Sequence, residues 1–223
     1  MGRGHGSSRG SGASKQVGDA SMRGMSQGLA KVLKEREEEI RTNDWFEAGT
    51  VYDEQGNVIF NNDHGKNGEV NLGKDFENRI ITHNHPLYGR SKGQARADQG
   101  GSLSDTDMFL AARFNAKEIR AVTRNYTYSL RRPEKGWGID STNGGYVWKA
   151  ATGKWKDNSD VSRAKRVYKQ AYKKVTEARD AYYFGYKGDR SAAWRRSSTV
   201  FWHQVNREFA KQMGWDYSKT KVN

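Results

Sequence analysis

Residues 80–107 read IITHNHPLYGRSKGQARADQGGSLSDTD, and this stretch decides both the fold and the chemistry of the chain. The apolar run that begins at Ile80 predicts a buried strand. His83 and His85 are two positions apart, so they project from the same face of that strand. Pro86 ends the strand because it has no backbone donor. Two adjacent imidazoles can bind one divalent metal ion, and three protein ligands with one open position are typical of a catalytic zinc site.

A helix follows the long polar segment 87–101, which has no hydrophobic period and predicts a loop. Ser104 is a good N-cap, Asp107 falls at the third helical position, and Leu103 can pack on Met108 as a hydrophobic staple. This frame places a carboxylate at the helix start as a third metal ligand. The pair Ser102 and Asp105 also satisfies the Ser-x-x-Asp spacing. We prefer Ser104 and Asp107 because only this frame gives the staple.

Short β-rich runs lie on both sides of this stretch. Polar turn residues separate the two runs of each pair, which is typical of antiparallel hairpins. The predicted pairs are Trp45–Tyr52 with Val58–Phe60, Ile119–Thr123 with Tyr126–Leu130, and a strand pair around Tyr146–Trp148. A further short strand is predicted at Glu69–Leu72.

Towards both ends of the chain, the spacing of apolar residues becomes that of a helix. Leu29–Ile40 predicts a short amphipathic helix, and two long helices, joined by a turn with Gly185 and Gly188, are predicted between Asp157 and Met213. We expect the two long helices to form an antiparallel pair that packs on the sheet or on a partner. The sequence therefore predicts an α+β fold with a mixed sheet flanked by helices. We divide it into a Gly/Ser-rich disordered tail (1–27), a leading helix (28–44), a metal-binding domain (45–153) and a basic helical hairpin (154–223).

Composition restricts the possible chemistry. The 223 residues include no cysteine, so a disulfide framework and a thiolate metal site are excluded, and any zinc must be held by histidine and carboxylate. No stretch has the apolar length of a signal sequence or a membrane span. We therefore expect a protein of the cytoplasm or of a particle assembled there, without membrane contact.

The net charge of +13 is concentrated in the last third. Residues 151–223 contain 17 Lys and Arg against 7 Asp and Glu. Such a surface attracts polyanions through counterion release, although a solvated, solubilising face is the alternative. The candidate polyanion-binding residues on the two helices are Lys165, Arg166, Lys169, Lys173, Lys174, Arg195 and Arg196.

The pattern Glu47…His83-x-His85-Pro86…Ser104-x-x-Asp107 resembles the signature of the JAB/MPN (JAMM) metallopeptidases. In particular, it is similar to the JAMM-like domains of phage head-morphogenesis and minor virion proteins. The resemblance covers roughly Trp45–Leu130, and the gap between His85 and Asp107 is longer than is usual in the family. It implies a mixed sheet flanked by helices.

The resemblance also implies a role for each matching residue. His83, His85 and Asp107 match the ligands of a catalytic Zn²⁺ ion. Glu47 matches the general base, with Glu54 and Glu69 as competitors, and Ser104 matches the serine that stabilises the oxyanion. The remaining histidines, His5, His64 and His203, are expected to be structural or exposed.

Two classes of function follow, and a third is weaker. The leading hypothesis is a zinc metalloprotease or isopeptidase that acts on a protein or peptide substrate. The alternative is a phage virion protein that contacts head or portal components, or DNA without sequence preference, and uses the JAMM-like domain as a scaffold. A metal-dependent nuclease is favoured only by the positive charge.

Overall fold

The secondary structure is that of an α+β protein, as the sequence predicts. The computed structural model describes residues 22–66, 68–86 and 101–222. Within these ranges the helices are α1 (Gln27–Arg41), α2 (Asp105–Arg113), α3 (Ser159–Gly185) and α4 (Arg190–Met213). The strands are β1 (Gly49–Tyr52), β2 (Val58–Asn62), β3 (Ile80–Asn84), β4 (Glu118–Val122), β5 (Tyr126–Arg131), β6 (Tyr146–Lys149), β7 (Lys154–Asp157) and β8 (Asp216–Lys221).

Six strands form one mixed sheet in the order β2-β1-β3-β4-β5-β8. Strands β3 and β4 pair in parallel, as expected for two strands connected through a helix, and the other neighbours are antiparallel. The hairpins β1–β2 and β4–β5 confirm the sequence prediction. The third predicted pair is also present, because β6 and β7 form a separate two-stranded sheet.

Two strand assignments differ from the sequence prediction. No strand forms at Glu69–Leu72, where one isolated bridge joins Lys66 to Glu69. Gly68 and Gly73 bracket this segment with positive φ angles of 86° and 80°, so the backbone turns at both of its ends. Conversely, β8 was not predicted, because its sequence DYSKTK has no apolar alternation; its position in the sheet comes from pairing with β5.

The two faces of the main sheet differ in chemistry. Val51, Ile81, Ile119 and Leu130 belong to the main hydrophobic core, together with residues of α2, α3 and α4. The opposite face is covered by α1, whose Leu29 and Leu33 pack on Tyr52 and Ile80. The predicted C-terminal helical pair therefore packs on the sheet domain. Its contributions to the core include Ala164, Ala171, Phe209 and Ala210.

A buried ion network lies between α1 and the sheet. The Arg120 guanidinium donates to Glu37 at 2.5 Å and to Glu118 at 2.7 Å, and Arg131 donates to Glu118 at 2.9 Å. These groups compensate one another after removal from water, and the two carboxylates raise the pKa of Arg120 against the effect of its burial. Because breaking a buried pair leaves an uncompensated charge, a shift of α1 that separated Glu37 from Arg120 would be costly.

The predicted N-terminal tail lies only partly within the described residues. Residues 1–21 of the predicted tail lie outside the described residues, whereas Met22 and Met25 pack beside α1. None of the described helices has both the length and the apolarity that a membrane crossing requires.

Candidate metal centre

Strand β3 presents both histidines to one side of the sheet. It pairs antiparallel with β1, so that Gly49 lies opposite His83, and in parallel with β4. The ladder continues one step beyond the strand, because the His85 N–H donates to the Val122 carbonyl at 2.9 Å. His83 and His85 therefore keep the two-residue alternation and project from one face, as the sequence predicts.

Gly49 is required at its position because the backbone of β3 comes very close. A Cβ atom at residue 49 would lie 2.8 Å from the Thr82 carbonyl oxygen and 3.0 Å from the His83 Cβ. Contacts of this length force one of the two strands to move. A glycine at residue 49 thus lets β1 lie against β3 without moving His83.

The third candidate ligand, Asp107, comes from the first turn of α2. The Ser104 Oγ accepts the Asp107 N–H at 3.1 Å, and the Asp107 Oδ2 accepts the Ser104 N–H at 2.7 Å. This reciprocal pair is a capping box, which fixes the Asp107 rotamer. The helix therefore begins where the preferred frame of the sequence predicts. Leu103 and Met108 are both buried in the main core, as expected for the staple.

His83, His85 and Asp107 converge, and together they could hold a metal ion. The two Nε2 atoms are 3.0 Å apart, and the Asp107 carboxylate oxygens lie 3.5 Å from His83 Nε2 and 3.7 Å from His85 Nε2. Ligands at bonding distance from one tetrahedral ion are about 3.3 Å apart, given metal–ligand bonds of about 2.0–2.1 Å. The donor atoms thus face one another at the spacing that a shared ion requires.

The outer nitrogens of the two rings have partners that select the tautomer. His85 Nδ1 lies 3.1 Å from the Gly101 carbonyl, and the His83 ring bonds to the backbone of Arg120. A carbonyl can only accept, so it holds the proton on Nδ1 and leaves the lone pair of His85 Nε2 directed at the shared position. This arrangement is typical of metal-binding histidine.

The electrostatics of the three groups are mutually consistent. Burial would raise the pKa of Asp107, but the facing imidazoles of His83 and His85 hold it well below its usual value. Burial opposes protonation of the His83 ring, yet Asp107 and Glu47 raise its pKa above the usual value. The centre therefore attracts a cation, either a proton or a metal ion.

Glu47 lies beside this group, just before the start of β1. It is two residues before Gly49, which pairs with His83, so its side chain lies on the histidine face of the sheet. It is buried, and this burial raises the pKa of its carboxyl, an effect that the two imidazoles oppose. Glu54 and Glu69 are the other two candidates for the general base. Glu54 lies at the exposed β1–β2 turn and pairs with Lys117 at 2.8 Å, while Glu69 lies near Glu47.

A cleft of about 750 Å³ gives access to the centre. Its walls contain Glu47, both histidines, Ser104 and Asp107, and an apolar side that includes Leu72 and Leu110. Tyr168 of α3 and Trp202 of α4 also line the cleft, and no sequence signal separates them from ordinary core aromatics. Glu69 and Asp105 add two carboxylates to its walls.

The residues of the alternative frame, Ser102 and Asp105, also line the cleft but form other hydrogen bonds. Ser102 is buried and bonds to Tyr217 and Asn206, while Asp105 accepts its neighbour's N–H at the helix start. Of the histidines expected to be structural or exposed, His64 is exposed, His203 is partly buried against Tyr217, and His5 lies outside the described residues.

Several of the candidate polyanion-binding lysines have partners within the protein. Lys165 pairs with Asp157 at 2.7 Å, Lys174 with Glu208 at 2.6 Å, and Lys173 with Glu177 at 3.8 Å. Arg166 and Lys169 are exposed, with no carboxylate partner among the described residues. The side chains of Arg195 and Arg196 lie outside the described part of the structure.

No family model, no curated protein and no solved structure matches the chain. The resemblance to the JAMM metallopeptidases therefore rests on the motif residues themselves. What the structure adds is that three of these residues form a group that could hold a metal ion, with Glu47 beside it.

Proposed function

We propose that this protein is a zinc-dependent hydrolase of the JAMM type that cleaves a peptide or isopeptide bond. The observation that carries the proposal is the convergence of His83, His85 and Asp107 beside a buried glutamate in one open cleft. Two imidazoles and one carboxylate suit Zn²⁺, and three protein ligands leave a position for the reaction.

Each residue has a distinct task in this proposal. A zinc ion held by the three ligands supplies Lewis-acid chemistry, lowering the pKa of water to about 7 and polarising a carbonyl. Glu47 accepts the proton that the attacking water loses and returns it to the leaving amine nitrogen. The Ser104 hydroxyl, at the cleft, donates a hydrogen bond to the oxygen on which negative charge develops.

Metal binding tests the centre directly. We expect about one zinc ion per chain in protein purified without chelator, and loss of this zinc in the double variant His83→Ala/His85→Ala. His64→Ala is the matched control, because His64 is exposed and outside the group. Zinc that is retained by the double variant would remove the assigned site.

Cleavage assays separate the hydrolase from the nuclease hypothesis. The proposal predicts chelator-sensitive cleavage of fluorogenic peptides or of lysine-linked isopeptides, and no metal-dependent nicking of a plasmid. Nicking that requires His83 and His85, without any peptide cleavage, would replace the proposal by the nuclease.

We also propose a second role, the binding of polyanions by the helical pair. Exposed Arg166 and Lys169, together with the net charge of +13, support it. It is compatible with hydrolysis, since these residues lie outside the cleft walls. Contact with phage head or portal components stays a prediction of the resemblance.

A further inference from the structure

The segment 101–104 determines the orientation of two of the three candidate ligands. The Gly101 carbonyl orients the His85 ring through Nδ1, and the Ser104 cap fixes the Asp107 carboxylate. A shift of this segment would turn the ring and displace the carboxylate together. The geometry of the centre therefore depends on whatever holds these four residues in place.

The side-chain amide of Asn206, on α4, holds the middle of this segment. Its Nδ2 donates to the Ser102 Oγ at 2.8 Å and to the Leu103 carbonyl at 2.7 Å. The orientation of the amide is fixed because a carbonyl can only accept a hydrogen bond. Asn206 is fully buried, and its Oδ1 has no hydrogen-bond partner among the described residues. A residue that only filled the core at this position would not need a side-chain amide.

Strand β8 provides a second support on the other side of Ser102. The Tyr217 hydroxyl lies 2.8 Å from the Ser102 Oγ and 3.0 Å from the His203 Nδ1. The hydrogen-bonded chain thus runs from α4 through the segment to β8 and back to α4. All of these partners come from the last third of the sequence, outside the region that carries the metal-binding motif.

We infer that Asn206 is a positioning residue of the candidate metal centre, acting through the segment 101–104 on His85 and Asp107. The inference rests on the proposed function, because it assumes that these residues bind a metal. Outer partners of metal ligands typically contribute 10- to 100-fold to metal affinity. The basic C-terminal helices are then part of the metal centre as well as a charged surface.

The test compares Asn206→Leu with Val205→Ala in the full-length protein. Leucine is similar in size to asparagine but cannot donate, whereas Val205 is a buried neighbour on α4 that packs with Val175 and Phe201. Competition with a chromogenic chelator should show zinc binding 10- to 100-fold weaker in Asn206→Leu and within about threefold of wild type in Val205→Ala. Equal affinities in Asn206→Leu and wild type would overturn the inference.

A second measurement on the metal-free protein keeps the inference testable whatever the zinc result. Long-range ¹H–¹⁵N spectra of the imidazole rings report the tautomer of His85, with His85→Ala for assignment. We expect the Nδ1–H form in wild type and a mixture in Asn206→Leu, because the Gly101 carbonyl is no longer held. If wild type binds no zinc, the proposed function fails, and an unchanged His85 tautomer in the variant would separately refute the positioning role.

Ser102→Ala replaces Asn206→Leu if the latter does not fold. It removes one of the two Asn206 hydrogen bonds together with the Ser102–Tyr217 bond, and leaves the Asn206 bond to Leu103. We expect zinc affinity to fall three- to tenfold and the His85 tautomer to shift partly. A Ser102→Ala protein with wild-type affinity and tautomer would contradict the inference.

Discussion

At the scale of single residues, the two carboxyls of the centre are tuned in opposite directions. Burial raises the pKa of Glu47, whereas the facing imidazoles hold the pKa of Asp107 well below its usual value. Asp107 is therefore ionised throughout the neutral range and suits a metal ligand. Glu47 accepts a proton more readily, which suits a residue that carries one between water and a leaving group.

Replacing Glu47 by glutamine tests this division of roles. Glutamine has nearly the same size but cannot take a proton, so we expect peptide cleavage to fall by 10²- to 10⁴-fold. Zinc content should stay near that of wild type, because the three ligands are untouched. Elemental analysis and cleavage rates of the same preparation check both statements. A Glu47→Gln enzyme with full activity would transfer the role of base to another residue, with Glu69 as the next candidate.

Gly49→Ala should disturb the centre from the neighbouring strand. The added methyl group would meet the Thr82 carbonyl and the His83 Cβ, so β1 and β3 must separate. We expect a loss of about 1–3 kcal/mol in the free energy of unfolding, as for other overpacked sites, together with weaker zinc binding. Gly185→Ala is the control, since a Cβ there meets no atom within 4 Å. Denaturant unfolding and zinc titration of both variants measure the difference.

The pKa of His83 predicts how zinc binding depends on pH. Asp107 and Glu47 raise it above its usual value, so protons compete with zinc already on mild acidification. Apparent zinc affinity should fall by up to about tenfold per pH unit below that pKa, and the zinc-induced rise in Tm should be larger at pH 7.5 than at pH 5.5. Thermal unfolding with and without zinc measures this. An equal rise at both pH values would contradict the prediction.

The contribution of His83 to the stability of the metal-free protein should change with pH in the direction opposite to that of zinc affinity. Folding raises the pKa of His83, so this stabilisation is present below about pH 6.5 and is lost as the pH rises through the raised value. Folding lowers the pKa of Asp107, so its contribution is lost as the pH falls through that lowered value. The His83–Asp107 ion pair thus stabilises the metal-free protein in mild acid, where zinc binds least.

At the scale of elements, the first turn of α2 combines a structural and a proposed catalytic role in Ser104. Ser104→Ala removes the cap and should cost about 1 kcal/mol of stability. Ser104→Asn restores a capping oxygen without the hydroxyl, so its stability should return to wild type. If the hydroxyl stabilises the oxyanion, cleavage by Ser104→Ala should be about 10²- to 10³-fold lower. Thermal unfolding and cleavage rates separate the roles, and a fully active Ser104→Ala would leave Ser104 as a cap alone.

The elements that the sequence predicts correctly are those with local signals. The cap and staple around Ser104 and the 3.6-residue period of α3 depend on neighbours within one or two turns. Helix α4 ends at Met213, directly before Gly214, whose φ angle is 69°. Strand β8 has no such signal. Its six residues, DYSKTK, show no alternation of apolar and polar side chains. They form a strand because β5 offers an unpaired edge. The absence of a strand at Glu69–Leu72 likewise reflects its flanking glycines.

At the scale of the whole molecule, the sequence predicts the ligand set but not its support. His83 and His85 share a strand, and Asp107 follows from a cap, so the three can be chosen from motif and spacing. Asn206 and Tyr217 are about a hundred positions away and touch the segment 101–104 only because α4 and β8 pack there. Contacts of this kind carry no periodic pattern, and the sequence therefore could not indicate them.

The same packing changes the predicted basic surface. Of the five candidate cations whose side chains the structure describes, three form ion pairs within the protein, which reduces the charge they offer to a ligand. Arg166 and Lys169 are exposed and have no carboxylate partner among the described residues, so their charges remain accessible to a ligand. The long-range attraction of a +13 protein remains, because it depends on total charge more than on individual pairs. We therefore propose weak, non-specific binding of polyanions rather than a dense binding site.

Salt dependence tests this view of the molecule. Binding to duplex DNA should be independent of sequence, and log K should fall linearly with log[salt], with a slope of about −0.9 for each phosphate neutralised. Arg166→Glu/Lys169→Glu should weaken binding and reduce the slope by about 2. Lys31→Glu/Lys34→Glu is the control, because it changes the net charge equally on α1, where both lysines are 3.8–4.0 Å from glutamates. Fluorescence anisotropy at several salt concentrations measures both slopes. Equal losses in the two variants would mean that net charge alone drives binding, whereas no binding at low salt would exclude DNA as a partner.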